Sequence, residues 1–111
     1  MKTAINKKLA IVSATFVLLT QPVFGQSTFG LPDCGQWLVK DSKFKISDKA
    51  WLLGFMGGLS VMDNLSTGKD PMEKINSVEQ IFLWMDNFCQ KNPLGTVSSG
   101  GFVLFIELKA K

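Results

Sequence analysis

Trp84-Met85-Asp86-Asn87-Phe88-Cys89-Gln90-Lys91-Asn92-Pro93-Leu94 decides the fold. It is the end of an amphipathic helix that carries a cysteine and is closed by a proline, because the residue before proline is disfavoured in helical geometry. The helix opens at Ser77-Val78-Glu79-Gln80, a capping box with serine at the cap and glutamine three residues on. Val78, Ile81, Phe82, Met85, Phe88 and Cys89 then share one face. The other cysteine, Cys34, sits in Asp33-Cys34-Gly35-Gln36-Trp37-Leu38. Asp33 is a suitable N-cap, which places Cys34 at the start of a short helix with Trp37 and Leu38 on its apolar side.

Outward from this pair, residues 1–25 read as a secretory signal peptide to be cleaved after Gly25. Lys2, Lys7 and Lys8 make a basic start, residues 9–19 are apolar, and Gln21 and Pro22 break the run. That apolar run is shorter than the ~20 residues that span a bilayer, so a membrane anchor is the weaker reading. The expected mature chain, residues 26–111, is a single domain. Every basic residue is a lysine, and with three of them in the signal the mature chain carries nine lysines against nine acids. Its net charge is zero, and it has no arginine to read phosphate bidentately. No nucleic-acid partner is expected, and no membrane partner after cleavage.

In an oxidising compartment two cysteines are most simply one disulfide, Cys34 to Cys89; free thiols or an intermolecular bridge are the alternatives. The internal bridge closes a loop of about 55 residues and is worth about 4 kcal/mol in the chain-entropy treatment. A chain this small needs such help, because its core is marginal.

Between the cysteines, Ser47 can cap a helix over residues 48–65, with Trp51, Leu52, Phe55, Met56, Leu59, Met62 and Leu65 recurring at threes and fours. A second stripe is small: Ala50, Gly54, Gly57, Gly58 and Val61. Glycine inside a helix costs about 1 kcal/mol relative to alanine. Gly54, Gly57 and Gly58 are therefore read as helix-packing glycines facing a close neighbour, with a ligand or partner groove as the alternative. Residues 41–46 fit a loop or a brief extended piece, and residues 64–76 a polar connection with a stop at Gly68. The segment over 96–109 has strand-like composition. As a helix capped by Thr96 it groups Val97, Gly101, Leu104, Phe105 and Leu108, and sets Gly100 and Gly101 against the Gly54/Gly58 stripe. The helix is preferred, because a lone strand leaves its backbone unsatisfied. The expected fold is all-α, a small bundle of three to four short helices tied by one disulfide.

The chain has no histidine, tyrosine or arginine, which removes an imidazole base, a histidine metal ligand and an arginine clamp. A cysteine held in a disulfide is not a nucleophile. No catalytic residue, metal or cofactor is expected. The remaining enzymatic reading is a carboxylate-based hydrolase using Asp63 and Asp86, with Glu107 as a further acid. Trp37, Trp51, Trp84 and Phe88 are candidates for an exposed protein-binding patch, Trp84 foremost, since large aromatics anchor interfaces.

These motifs in order (Cys34-Gly35-Gln36-Trp37-Leu38, then Trp51-Leu52-Leu53-Gly54-Phe55-Met56-Gly57-Gly58, then the stretch from Trp84 to Leu94) resemble small exported bacterial helical proteins. The plan is similar to the HdeA-type periplasmic acid-stress chaperones and, more loosely, to the Tai-type immunity proteins of type VI secretion. The resemblance implies a periplasmic or secreted protein that binds another protein, either an unfolding client or one toxin, and it implies a homodimer. It transfers no catalytic residue.

Overall fold

The computed structural model describes residues 31–111; the signal peptide expected over residues 1–25 lies outside them. The described residues form four α-helices: α1 (Cys34–Leu38), α2 (Lys45–Thr67), α3 (Val78–Lys91) and α4 (Val97–Ala110), with a 3-10 turn at Pro71–Lys74 between α2 and α3. The β pairing among these residues is one isolated antiparallel bridge, Asp33 with Thr96. The domain is thus a small all-α bundle, and the segment over 96–109 is a helix rather than a strand.

Local chemistry explains most of the boundaries. At α1, Asp33 Oδ1 accepts from the Gln36 N–H at 2.7 Å. At α4, Thr96 Oγ1 accepts from the Ser99 N–H at 3.2 Å. α2 closes at Gly68, whose φ of 74° is the left-handed geometry that glycine adopts without a Cβ penalty. Asn92 caps α3 and Pro93 follows.

Two local readings differ, at Ser47 and at the capping box, and the alternative left open over residues 41–46 falls to the loop. Ser47 is not a cap: α2 begins at Lys45 behind Phe44, and Ser47 Oγ donates back to the Phe44 carbonyl at 2.8 Å. Residues 41–46 are not extended, because turns closed by Ser42 N–H to Val39 O and Lys45 N–H to Ser42 O lead straight into the helix. The capping box at α3 is displaced, with no cap bond from Ser77 and Gln80 Oε1 instead accepting from the Asn76 N–H at 2.8 Å.

Each helix gives its apolar stripe to one core: Trp37 from α1, Leu52 and Met56 from α2, Ile81 and Met85 from α3, Leu104 and Phe105 from α4. The disulfide joins Cys34 of α1 to Cys89 of α3, both fully buried, with Cα atoms 4.9 Å apart.

The glycines work elsewhere than the sequence pattern suggests. A Cβ added at Gly54, Gly57 or Gly58 would meet nothing within 4 Å, so these are not helix-packing positions within the domain. The close approach belongs to α4, which packs against both α2 and α3. A Cβ at Gly100 would lie 2.7 Å from Met85 Sδ and from Phe88 Cδ1, and one at Gly101 would lie 2.9 Å from the Phe55 ring. α4 is wedged between two helices and lacks side chains where each comes nearest.

Candidate binding surface

The four aromatics singled out in the sequence do not form one patch. Trp37 is only 5% exposed; its Nε1 donates to Asp86 Oδ1 at 2.7 Å and its ring sits 6.2 Å from Phe82. It is a core residue, because the disulfide one turn away draws α1 onto α3. Trp84 and Phe88 are half-buried and stacked at 5.5 Å, with Trp84 Nε1 donating to Glu107 Oε2 at 3.3 Å. Trp51 stands apart from both, stacked on Phe55 at 5.1 Å.

Phe55 leads to a surface the sequence reading missed. Phe102 of α4 meets it edge-on, with centroids 5.2 Å apart. Gly101 touches Phe55 and Met56, while eight residues later Lys109 reaches Asp63 at 2.7 Å. α2 and α4 therefore run side by side in the same direction, and their outer rows line up: Trp51, Phe55, Leu59 and Met62 beside Phe102 and Ile106. Leu104 and Phe105 are buried, yet Phe102 is 50% and Ile106 64% exposed. The available signal was in α4 itself. Phe102-Val103-Leu104-Phe105-Ile106 is apolar all round, whereas a helix with one buried face needs only a stripe.

The polar groups gather elsewhere. Asp48 is buried, and Gln36 Nε2 lies 2.8 and 3.0 Å from its two oxygens. It shares a cavity of about 200 Å³ with Trp37, Lys45, Lys49, Phe82 and Asp86. Lys49 Nζ lies 4.8 Å over the Phe82 ring in a cation–π contact. Asp63 lines a different cleft with Lys109, and Glu107 a third with Trp84. The three carboxylates considered for acid–base work are thus in separate places, each bonded to a donor on another helix. Together with Asp48 they tie helices: α1 to α2 through Asp48, α1 to α3 through Asp86, α2 to α4 through Asp63, and α3 to α4 through Glu107. Among the described residues no group of three histidine, cysteine or acidic side chains is placed to hold a metal, and no helix is long and apolar enough to cross a membrane.

Fold and surface define a class, the small helical domain with one disulfide and an apolar outer face. No known protein family, curated protein or solved structure matches the chain.

Proposed function

We propose that this chain is an exported, non-enzymatic protein-binding domain that holds other proteins on the apolar face of α2 and α4, in the manner of an HdeA-type periplasmic chaperone. The observation that carries the reading is the row Trp51–Phe55–Phe102 with Met62 and Ile106 exposed around it. Apolar side chains presented together on a surface mark sites where proteins are held. The Cys34–Cys89 bridge is consistent with an oxidising compartment, in line with export to the periplasm. The use of Asp48, Asp63, Asp86 and Glu107 as ties between helices supports a binding rather than a catalytic role.

Acid would engage such a domain through charge. Strong acid neutralises carboxylates and leaves lysines charged, and residues 26–111 hold nine of each. Self-repulsion then loosens the bundle and enlarges its apolar surface. An immunity protein that neutralises one toxin is the second reading. It is favoured by the Trp84–Phe88 stack, a preformed aromatic edge beside Glu107 and Lys91.

A titration of the oxidised protein from pH 7 to pH 2 tests the choice. It would follow tryptophan fluorescence and the solubility of a denaturing client protein. Loosening together with client protection is the expected outcome. A protein that stays compact and protects nothing would remove the chaperone reading, and one tight periplasmic partner in a pull-down would install the other.

A further inference from the structure

The cavity of about 200 Å³ where α1, the start of α2 and α3 meet carries both signs of charge on its walls. Trp37 of α1 and Phe82 of α3 supply its aromatic surface, while Lys45, Asp48 and Lys49 of α2 and Asp86 of α3 supply its charges. Asp48 is only 5% exposed, and the donor that meets it is a neutral amide, Gln36 Nε2, 2.8 and 3.0 Å from its two oxygens. Asp86 accepts from Trp37 Nε1 at Oδ1. Its Oδ2 has no donor among the described residues. Lys45 and Lys49 are half-buried. The ion pairs among the described residues are Lys109–Asp63 and Lys111–Glu107. Each lysine of the cavity therefore stands more than 4.0 Å from both carboxylates, although all four groups line one space.

Buried charges are costly unless a counter-charge meets them. Here two carboxylates lack a cation and two ammoniums lack an anion, and a gap separates the two kinds. We infer that this cavity binds a small zwitterion, a free α-amino acid. Its ammonium lies against Asp48 and Asp86, its carboxylate against Lys45 and Lys49, and its side chain on Trp37 and Phe82. A simple amine would satisfy the carboxylates but bring a third positive charge beside two lysines. A simple acid would make the opposite error beside two carboxylates, and like charges in one site repel. Lys49 Nζ, 4.8 Å over the Phe82 ring, already sits at the aromatic wall where the ligand's carboxylate can reach it.

Size and rigidity agree with this. Drug-sized ligands occupy about 300–1,000 Å³, so the cavity suits a smaller molecule. Gln36 and Trp37, consecutive residues of α1, each orient one carboxylate, and the Cys34–Cys89 bridge holds α1 to α3. The carboxylates are thus aimed before a ligand arrives, which lowers the cost of binding. The site is separate from the proposed client face, because α4 contributes no residue to it.

Thermal unfolding of the oxidised protein at neutral pH, followed by far-ultraviolet circular dichroism, tests the inference. The probes are glycine, L-alanine, L-leucine and L-phenylalanine at millimolar concentration. At least one is expected to raise the midpoint, by about 5–10 °C at ten times its dissociation constant for a domain of this size. The amine that lacks its carboxylate and the acid that lacks its ammonium are expected to give little or no shift. Lys49→Met is expected to weaken binding at least tenfold. Asp86→Asn, which keeps an oxygen for Trp37 Nε1, should act alike, whereas Lys109→Met, outside the cavity, should keep the full shift. No shift with any of the four amino acids overturns the inference. So does an amine or an acid that acts as strongly as the amino acid, or a shift that survives in Lys49→Met.

Discussion

Trp37 and Asp86 are joined by a 2.7 Å hydrogen bond from indole Nε1 to carboxylate Oδ1, one helical turn from the Cys34–Cys89 bridge on both sides. α1 is five residues long, too short to persist as an isolated helix in water. Its place is set by these two ties to α3, one covalent and one polar. Trp37→Phe should keep most of the ring's burial but leave Asp86 without its donor, costing about 1–3 kcal/mol. Urea denaturation with an unchanged slope is the measurement, and a midpoint equal to wild type would show that the bond is worth nothing net.

The covalent tie should matter more. Replacing both cysteines by serine frees a loop of 55 residues and should lower stability by about 4 kcal/mol. Amide exchange adds a spatial check. α1 amides should lose protection before those of α2, because a helix of five residues cannot hold itself once untied, whereas α2 has 23. Equal thermal midpoints for the oxidised protein and the serine variant would contradict this.

Glycines on α2 and α4 should respond with opposite sign. Gly58→Ala in dilute protein should raise stability by about 0.5–1 kcal/mol, since the methyl group meets nothing and alanine favours the helix. Gly100→Val should lower it by about 1–3 kcal/mol, because the first added carbon already intrudes on Met85 and on the Phe88 ring. Thermal or urea midpoints of the two variants read the signs directly. A loss at position 58 would mean that a neighbour within the domain packs there.

The Asp63–Lys109 contact, though only 2.7 Å long, should contribute little. The lysine side chain is 46% exposed, and exposed pairs carry about 0–1 kcal/mol after screening and side-chain ordering. Lys109→Met should therefore shift the urea midpoint slightly, and less still in high salt. A loss of several kcal/mol would mean that α4 is pinned to α2 by charge rather than by the Gly101–Phe55 packing.

Much of this was legible in the chain. Asp33, Thr96, Gly68 and Pro93 mark helix ends by chemistry that acts within a few residues, and two cysteines leave one internal pairing. The tertiary role of glycine was not legible. Gly54, Gly57 and Gly58 on α2 and Gly100 and Gly101 on α4 look alike in sequence, and only the packing of α4 between α2 and α3 separates crowded from open positions. The aromatics failed for a related reason. Trp37 has the composition of an interface anchor, but its distance from Asp86 is a long-range fact. The α2–α4 row needed the parallel alignment of two helices that are some forty-six residues apart in the chain, and no local pattern carries that.

Site-directed photo-crosslinking tests the binding face most directly. A benzophenone amino acid would replace Phe102, within the row, or Leu94, which is 99% exposed in the α3–α4 connection, and each protein would be irradiated with a denaturing client at acid pH. Client adducts at position 102, with few or none at position 94, are the predicted result. Equal adducts at the two positions, or none at 102 while the client stays soluble, would contradict the assignment of client binding to the α2–α4 face.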